Sequence, residues 1–414
     1  MRSYDVNINT ICVEIQGVST PYLQTQNFCY TVTMSKSIYF DNAASTVVCE
    51  EAPEAMLRVM REDYGNPSSM HEQGRRAFRA IEQARKSIAD ALGAKTKNVL
   101  FTSGGTEANN LAVLGTADRL SHRGKHIITS AIEHSAVLEP IKKLETSGFE
   151  VSYLMPDENG RITPDSFAAA LRDDTVFASV MLVNNEVGTL NPVKDYSDEI
   201  KRRNLGTLLH TDAVQGLCKI PFSVSSLGAD LIAVSSHKLH GPKGVGALYF
   251  SDRVKLSPLL LGGQHESGKR AGTEALPAAV GFGKAVKLGM SDFSDTFARV
   301  KELREYAVRS IKSTLTDAVI IGDGSSPFLL CLSLPGFKGE VLMNYLDGEG
   351  IYVSRGTACK KGARSRVLEA MKLHNEVIDG ALRVSFSRYS TKGEVERFVE
   401  VLVDATNTVM KSRR

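Results

Sequence analysis

From about residue 37 onward, short runs of β-branched and other apolar residues alternate with segments whose apolar positions recur every three or four residues. The first period suits buried strands and the second amphipathic helices, so the pattern predicts an α/β protein built on a mostly parallel sheet. One helix is legible in Phe78, Ile81, Ala84, Ile88 and Leu92, closed by Gly93. Strands are expected over 98–102, 126–129, 176–183, 207–211, 230–235 and 246–250, the last two as hairpin partners across a glycine-rich turn. After about Gly289 the pattern changes to a long amphipathic helix, an apolar strand near 328–334, a short strand ending in Val353 and a closing helix. That last helix carries Val395, Phe398, Val399, Leu402 and Val403 on one side, with Thr391 and Glu394 spaced as a capping box.

The organisation expected is a large α/β domain over 50–290 and a smaller α+β domain formed by 37–49 with 291–414. Residues 1–36 stand apart from the periodic pattern. Met34-Ser35-Lys36 reads as an alternative start, so the extension is expected to be a weakly ordered arm or no part of the native chain, and no function attaches to it.

Composition narrows the function classes. A chain of 414 residues with 42% apolar and 23% charged residues is ordinary globular material. A net charge of +3, with lysines and arginines spread along the chain, gives no basic stripe for nucleic acid. No run of about 18 uncharged apolar residues occurs, and the first 33 residues resemble neither a signal nor a transit peptide, so a cytoplasmic protein is expected. The six cysteines, at 12, 29, 49, 218, 331 and 359, form no CxxC pair, which argues against a disulfide framework or a structural zinc site.

Three stretches carry candidate chemistry. TSGGTEANN, residues 102–110, follows a strand and opens a helix, where backbone N–H groups and a hydroxyl converge either on an anion or simply on a structural turn. It lacks the spacing of a P-loop or of a dinucleotide fingerprint. HTDAVQG places His210, Asp212 and Gln215 at a strand end, where the aspartate serves as a helix cap or as a ligand in the crevice beyond the sheet. SSHKLHGPKGVG ends the next strand on His237 and Lys238. An acid and a lysine at neighbouring strand ends, with an anion cradle, are the parts that hold pyridoxal phosphate: the lysine condenses with its aldehyde and the acid keeps its ring nitrogen protonated.

The ordered motifs YFDNAAST, YGNPSSMH, FTSGGTEANN, SAIEHSAV, VNNEVGT, HTDAVQG, SSHKLHGPKGVGALY, GGQHESGKRAGTE, VSRGTAC and LRVSFSRYST run from about Ile38 to the C-terminus. In them the chain resembles the cysteine desulfurases of the class V aminotransferase family, pyridoxal-phosphate enzymes of fold type I. The resemblance implies that Lys238 carries the cofactor, that Asp212 partners its ring nitrogen, that His134 stacks on the ring and that Gln215 lies beside the ring hydroxyl. It makes Gly105, Thr106, Ser236 and His237 phosphate ligands, and Thr273 a ligand supplied across a homodimer interface. Asn185 and Arg383 would hold the substrate carboxylate, with Lys238 or His134 as the base at Cα.

Cys359 distinguishes this reading from other pyridoxal chemistry. On the residues alone it reads as a core thiol or as an accessible thiolate favoured by Arg355, Lys360, Lys361, Arg364 and Arg366 nearby. The resemblance makes it the nucleophile that takes sulfur from L-cysteine, leaving L-alanine, and hands it as a persulfide to an acceptor such as an iron–sulfur scaffold protein. A cluster iron would touch Cys359 only transiently. Where many relatives have SSGSAC, this chain has SRGTAC, and the segment that follows is shorter and more basic. That difference leaves open the acceptor, with tRNA thiolation as a second destination. Selenocysteine lysis or another class V pyridoxal reaction is the alternative chemistry.

Overall fold

The computed structural model describes residues 37–355 and 364–411. The N-terminal extension, Cys12, Cys29 and Cys359 lie outside the described residues.

The main sheet has seven strands. In spatial order they are Val99–Thr102, Gly246–Phe250, Leu231–Ser235, Leu208–Asp212, Thr175–Ser179, His126–Ser130 and Glu150–Leu154. Only Gly246–Phe250 runs against the others, paired antiparallel with Leu231–Ser235 on one side and Val99–Thr102 on the other. The expected hairpin is therefore present. Most strands are buried throughout, which is why they read as continuous apolar runs. Alternation sorts their side chains into two cores: Leu231 and Ala233 pack with the helix Gly105–Leu120, and Ile232 and Val234 pack on the opposite face.

The helix Glu72–Leu92 follows the expected period and ends on Gly93, whose φ of 65° is the left-handed cap that glycine adopts without steric cost. Its first expected apolar residue departs from the stripe, since Phe78 is 52% exposed. The closing helix, Lys392–Thr408, has the capping box at Thr391 and Glu394.

Two small sheets lie beyond the large one. Ala381–Ser385, Leu329–Ser333 and Val319–Ile321 form an antiparallel trio, and Ile38–Tyr39 pairs with Ile351–Tyr352. They share a core with Phe398, Leu402 and Val300. The segment after Ile38–Tyr39 joins the two halves: Asn42 donates to the Ser385 carbonyl, and Thr46 N donates to the His237 carbonyl. This brings residues 41–46 to the carboxyl ends of the central strands.

Candidate active site

A cavity of ≈ 290 Å³ opens where the central parallel strands end. Nine of the residues singled out from the sequence line it: Gly105, Thr106, His134, Asn185, Asp212, Gln215, His237, Lys238 and Arg383. Asp212 and Lys238 converge because their strands are adjacent, with Asp212 registered against Ala233. The strand Leu231–Ser235 then tightens into a single 3₁₀ turn that delivers His237 and Lys238.

Asp212 is 5% exposed and held on both oxygens. Oδ1 accepts from Val214 N at 2.9 Å, closing a local turn, while Oδ2 accepts from Asn109 Nδ2 at 2.7 Å. Burial pushes its carboxyl above the ordinary value, opposed by those donors and by the cations of the site. Lys238 Nζ donates to the Ala43 and Ala44 carbonyls at 2.7 and 2.8 Å. Burial, helped by the positive charge of Arg383, draws its amine down to about 8, so far more of it is the free nucleophile near neutral pH than of a surface lysine.

His134 caps the helix Ser135–Thr146: its Nδ1 accepts from Ala136 N at 3.1 Å. Burial lowers its pKa, and the occupied Nδ1 lone pair leaves the proton of the neutral ring on Nε2. His237, near Ser45 Oγ, is drawn down to about 4, by burial first and then by Lys238 and other lysines, so it too is neutral at pH 7.

Arg383 lies on the strand Ala381–Ser385 and is 2% exposed. One terminal nitrogen donates to the Asn185 carbonyl and the other to Asp41 Oδ1, each at 2.9 Å, while Nε is buried without a protein acceptor. An oriented guanidinium with an unused buried N–H is suited to an incoming carboxylate.

At the opposite wall the 16-residue helix Gly105–Leu120 points its N-terminus into the cavity. Gly105 is needed for close approach, because a Cβ there would lie 2.8 Å from Val214 Cγ2. Glu107 holds the turn by accepting from Ser103 N and Arg270, so the amides of Gly105 and Thr106 sit at the positive end of the helix dipole.

The two serines before His237 differ. Ser235 lines the cavity, and its buried Oγ has no protein partner. Ser236, the serine expected as a phosphate ligand, does not line the cavity; its Oγ faces Gly241, where a Cβ would come within 2.1 Å of it. Strand parity is the cause: Ser235 follows Leu231 and Ala233 onto the side of the helix Gly105–Leu120, and the next residue turns away. Thr273 is exposed and lies outside the cavity of its own chain. His210 is core: its Nδ1 pairs with Ser179 Oγ, and burial draws its pKa down to about 3.

Asp41, Asn109 and Ser235 are site residues that the sequence reading missed. Asn109 had a usable signal, lying one helical turn beyond Gly105 in the anion-cradle motif. The others depend on chain crossings and strand parity.

The residues present fit pyridoxal phosphate. A helix N-terminus beside the unpartnered hydroxyl of Ser235 suits a phosphate, the fixed carboxyl of Asp212 a ring nitrogen, and the buried amine of Lys238 an aldehyde. Among the described residues no cluster of metal-ligating side chains occurs, and no helix is long and apolar enough to cross a membrane.

Comparison with known proteins agrees with this geometry. The family signature described as Aminotransferase class-V matches residues 38–398. The chain is 43% identical over 373 residues to the cysteine desulfurase IscS of Dictyoglomus turgidum, covering 89% of this chain and 94% of that one. It is 42% identical over 376 residues to the cysteine desulfurase IscS of Methanosarcina thermophila, covering 89% and 92%. Among solved structures, a NifS-like protein matches with a TM-score of 0.86 at 37% identity, covering 90% of this chain and all of that one. A cavity framed by Lys238, Asp212 and Arg383 on this sheet, with a family signature spanning nearly the whole described chain, identifies the protein as a member of the class V aminotransferase family.

Proposed function

We propose that the chain is a pyridoxal-phosphate-dependent cysteine desulfurase, converting L-cysteine to L-alanine and passing the sulfur to Cys359 as a persulfide. The observation that carries this reading is the shared cavity of Lys238, Asp212 and Arg383, which joins a carbonyl-reactive amine, a fixed acid and a carboxylate clamp.

When bound, pyridoxal phosphate supplies a sink for the electron pair left at Cα after deprotonation. Arg383, oriented by Asp41 and the Asn185 carbonyl, binds the substrate carboxylate and so fixes which Cα bond faces Lys238. With the neutral His134 carrying its proton on Nε2, Lys238 Nζ is the better base for the Cα proton, and His134 serves as donor. Sulfur transfer balances without an external oxidant. The Cβ–S bond breaks, a bond from that sulfur to Cys359 Sγ forms, and Cβ gains the proton that completes alanine.

The flanks of the segment carrying Cys359 support its role. Ser354 exchanges two backbone hydrogen bonds with Arg383, and Arg355 pairs with Glu340. On the far side, Ser365 donates to Glu186 and Arg366 donates to the Glu133 carbonyl. Glu186 and Glu133 are sequence neighbours of Asn185 and His134, so both flanks are tied to the rim of the cavity. The other described thiols are poor nucleophiles, since burial pushes Cys218 and Cys331 up to about 12 and raises Cys49.

The cofactor's phosphate would be held by Gly105, Thr106, Ser235 and His237, with Thr273 reaching the site of a second copy in a homodimer. The exposed Leu259, Leu260 and Leu261 and the exposed Phe78 give that second copy an apolar surface close to the segment bearing Thr273. The sulfur acceptor is a separate protein, with an iron–sulfur scaffold as the first candidate, in the cytoplasm.

The test is release of alanine and sulfide from L-cysteine with a thiol reductant. Equal amounts from the parent, and loss of both in Cys359→Ala, are expected. Turnover indifferent to Cys359 would move the chain to another class V pyridoxal reaction.

A further inference from the structure

Lys219 is a buried lysine that the reaction above does not use. It is 7% exposed, and the hydrogen bond it donates among the described residues runs to Gln215 Oε1 at 3.1 Å. The positive charges of Lys238 and Arg383 act against its protonation, and the Cys218 thiol beside it acts the other way. His237 and His240 also feel its charge, and Arg388 lines the same small hollow behind the cavity. Burial draws the amine down to about 7. A lysine buried without a carboxylate is costly, and packing alone would be met better by methionine or leucine.

The bond it makes belongs to a chain that reaches the catalytic lysine. Lys219 Nζ donates to Gln215 Oε1, Gln215 Nε2 donates to the Ala43 carbonyl at 2.9 Å, and Lys238 Nζ donates to that same carbonyl. A glutamine amide is symmetric in shape but not in hydrogen bonding. As long as the Lys219 amine is protonated, which a pKa of about 7 makes true below neutral pH, the carbonyl oxygen must face it, because the flipped amide would set donor against donor. The NH₂ edge is thereby fixed toward Ala43 and the cavity.

We propose that Lys219 is a positioning residue for the cofactor: by locking the Gln215 amide it presents an N–H donor to the cofactor's ring oxygen, which it does not itself touch. This role rests on the cofactor reading and adds a residue to it. The donor stabilises negative charge on the ring oxygen, and the nearby ammonium disfavours further positive charge. Both effects make the proton shared between that oxygen and Lys238 Nζ easier to lose. Removing Lys219 therefore tightens that proton.

The experiment is a pH titration of the visible absorption band of the loaded protein. In Lys219→Met, which preserves the stem and removes the donor, the midpoint is expected to move upward by roughly half to one pH unit. Lys219→Gln keeps an N–H for Oε1 without the charge and is expected to shift it the same way by less; it also carries the test if methionine is not tolerated. A merely structural lysine would change the thermal midpoint of the protein and leave the band's midpoint alone. A parent-like midpoint in whichever variant folds and binds cofactor overturns the proposal. A parent without a visible band contradicts the cofactor reading, and this role with it.

Discussion

Arg383 is the residue whose surroundings say most about the substrate. Two of its nitrogens are spent on Asp41 and the Asn185 carbonyl, and a third lies buried without a protein acceptor. A planar fork can satisfy fixed protein partners and a carboxylate together; a lysine ammonium at the same place cannot reproduce the paired geometry. Arg383→Lys is therefore expected to raise KM for L-cysteine roughly 10- to 100-fold, the loss of one charge-assisted hydrogen bond, with a smaller change in kcat. Steady-state kinetics decides it, and an unchanged KM with a collapsed kcat would place the arginine in the chemical step instead. At this scale the sequence showed Lys238, Asp212 and Gln215, because strand-end residues with unusual chemistry stand out from apolar runs, whereas His134 came only through the family motif SAIEHSAV. It did not show Asp41, which meets Arg383 only through a contact across 342 positions. Nor did it separate Ser235 from Ser236, since a one-residue choice of face depends on where the strand ends.

At the level of elements, the cavity depends on how closely the antiparallel strand Gly246–Phe250 approaches the anion cradle. A Cβ at Gly246 would lie 2.6 Å from the carbonyl carbon of Gly104 and 2.7 Å from the Val234 oxygen, backbone on both sides. Gly246→Ala must push apart the cradle and the strand leading to Lys238. The expected cost is about 1–3 kcal/mol of stability, read from urea unfolding, with weaker cofactor retention in the variant. Wild-type stability and cofactor affinity would refute this reading of the turn. Buried strands were legible as apolar runs, but their ends were not. The run expected to reach residue 183 ends as a regular strand at Ser179, while Val180 to Val183 remain buried, keep the same apolar signature and still donate from Val180 and Leu182 to the neighbouring strand Leu208–Asp212. The edge strand Glu150–Leu154 was invisible for the opposite reason, as its mixed exposure lacks both a continuous apolar run and a clean alternation.

Considered as a whole molecule, the protein places its reactive groups where one large sheet, two small sheets and the crossing segment 41–46 meet. The fold class was readable because parallel strands buried on both faces impose a strong pattern. The stitching was not: one hydrophobic core includes Ile128 and Val180 of the large sheet's surroundings and also Leu329, Cys331 and Ala381 of the small sheet, so packing crosses the division that sequence character suggests. Phe78 teaches the same lesson at the surface, where a residue with the right period for the core faces outward. The anchored flanks of the Cys359 segment also belong to this scale, because four separate regions of the chain hold them at the cavity rim. The central claim is that sulfur leaves L-cysteine by bonding to Cys359, and mass spectrometry of the protein tests it most directly. The loaded enzyme would be mixed with L-cysteine in the absence of reductant, alkylated and digested. The account predicts one added sulfur on the peptide bearing Cys359, formed together with one alanine and missing in Cys359→Ala. Alanine formed with no sulfur on that peptide would contradict it.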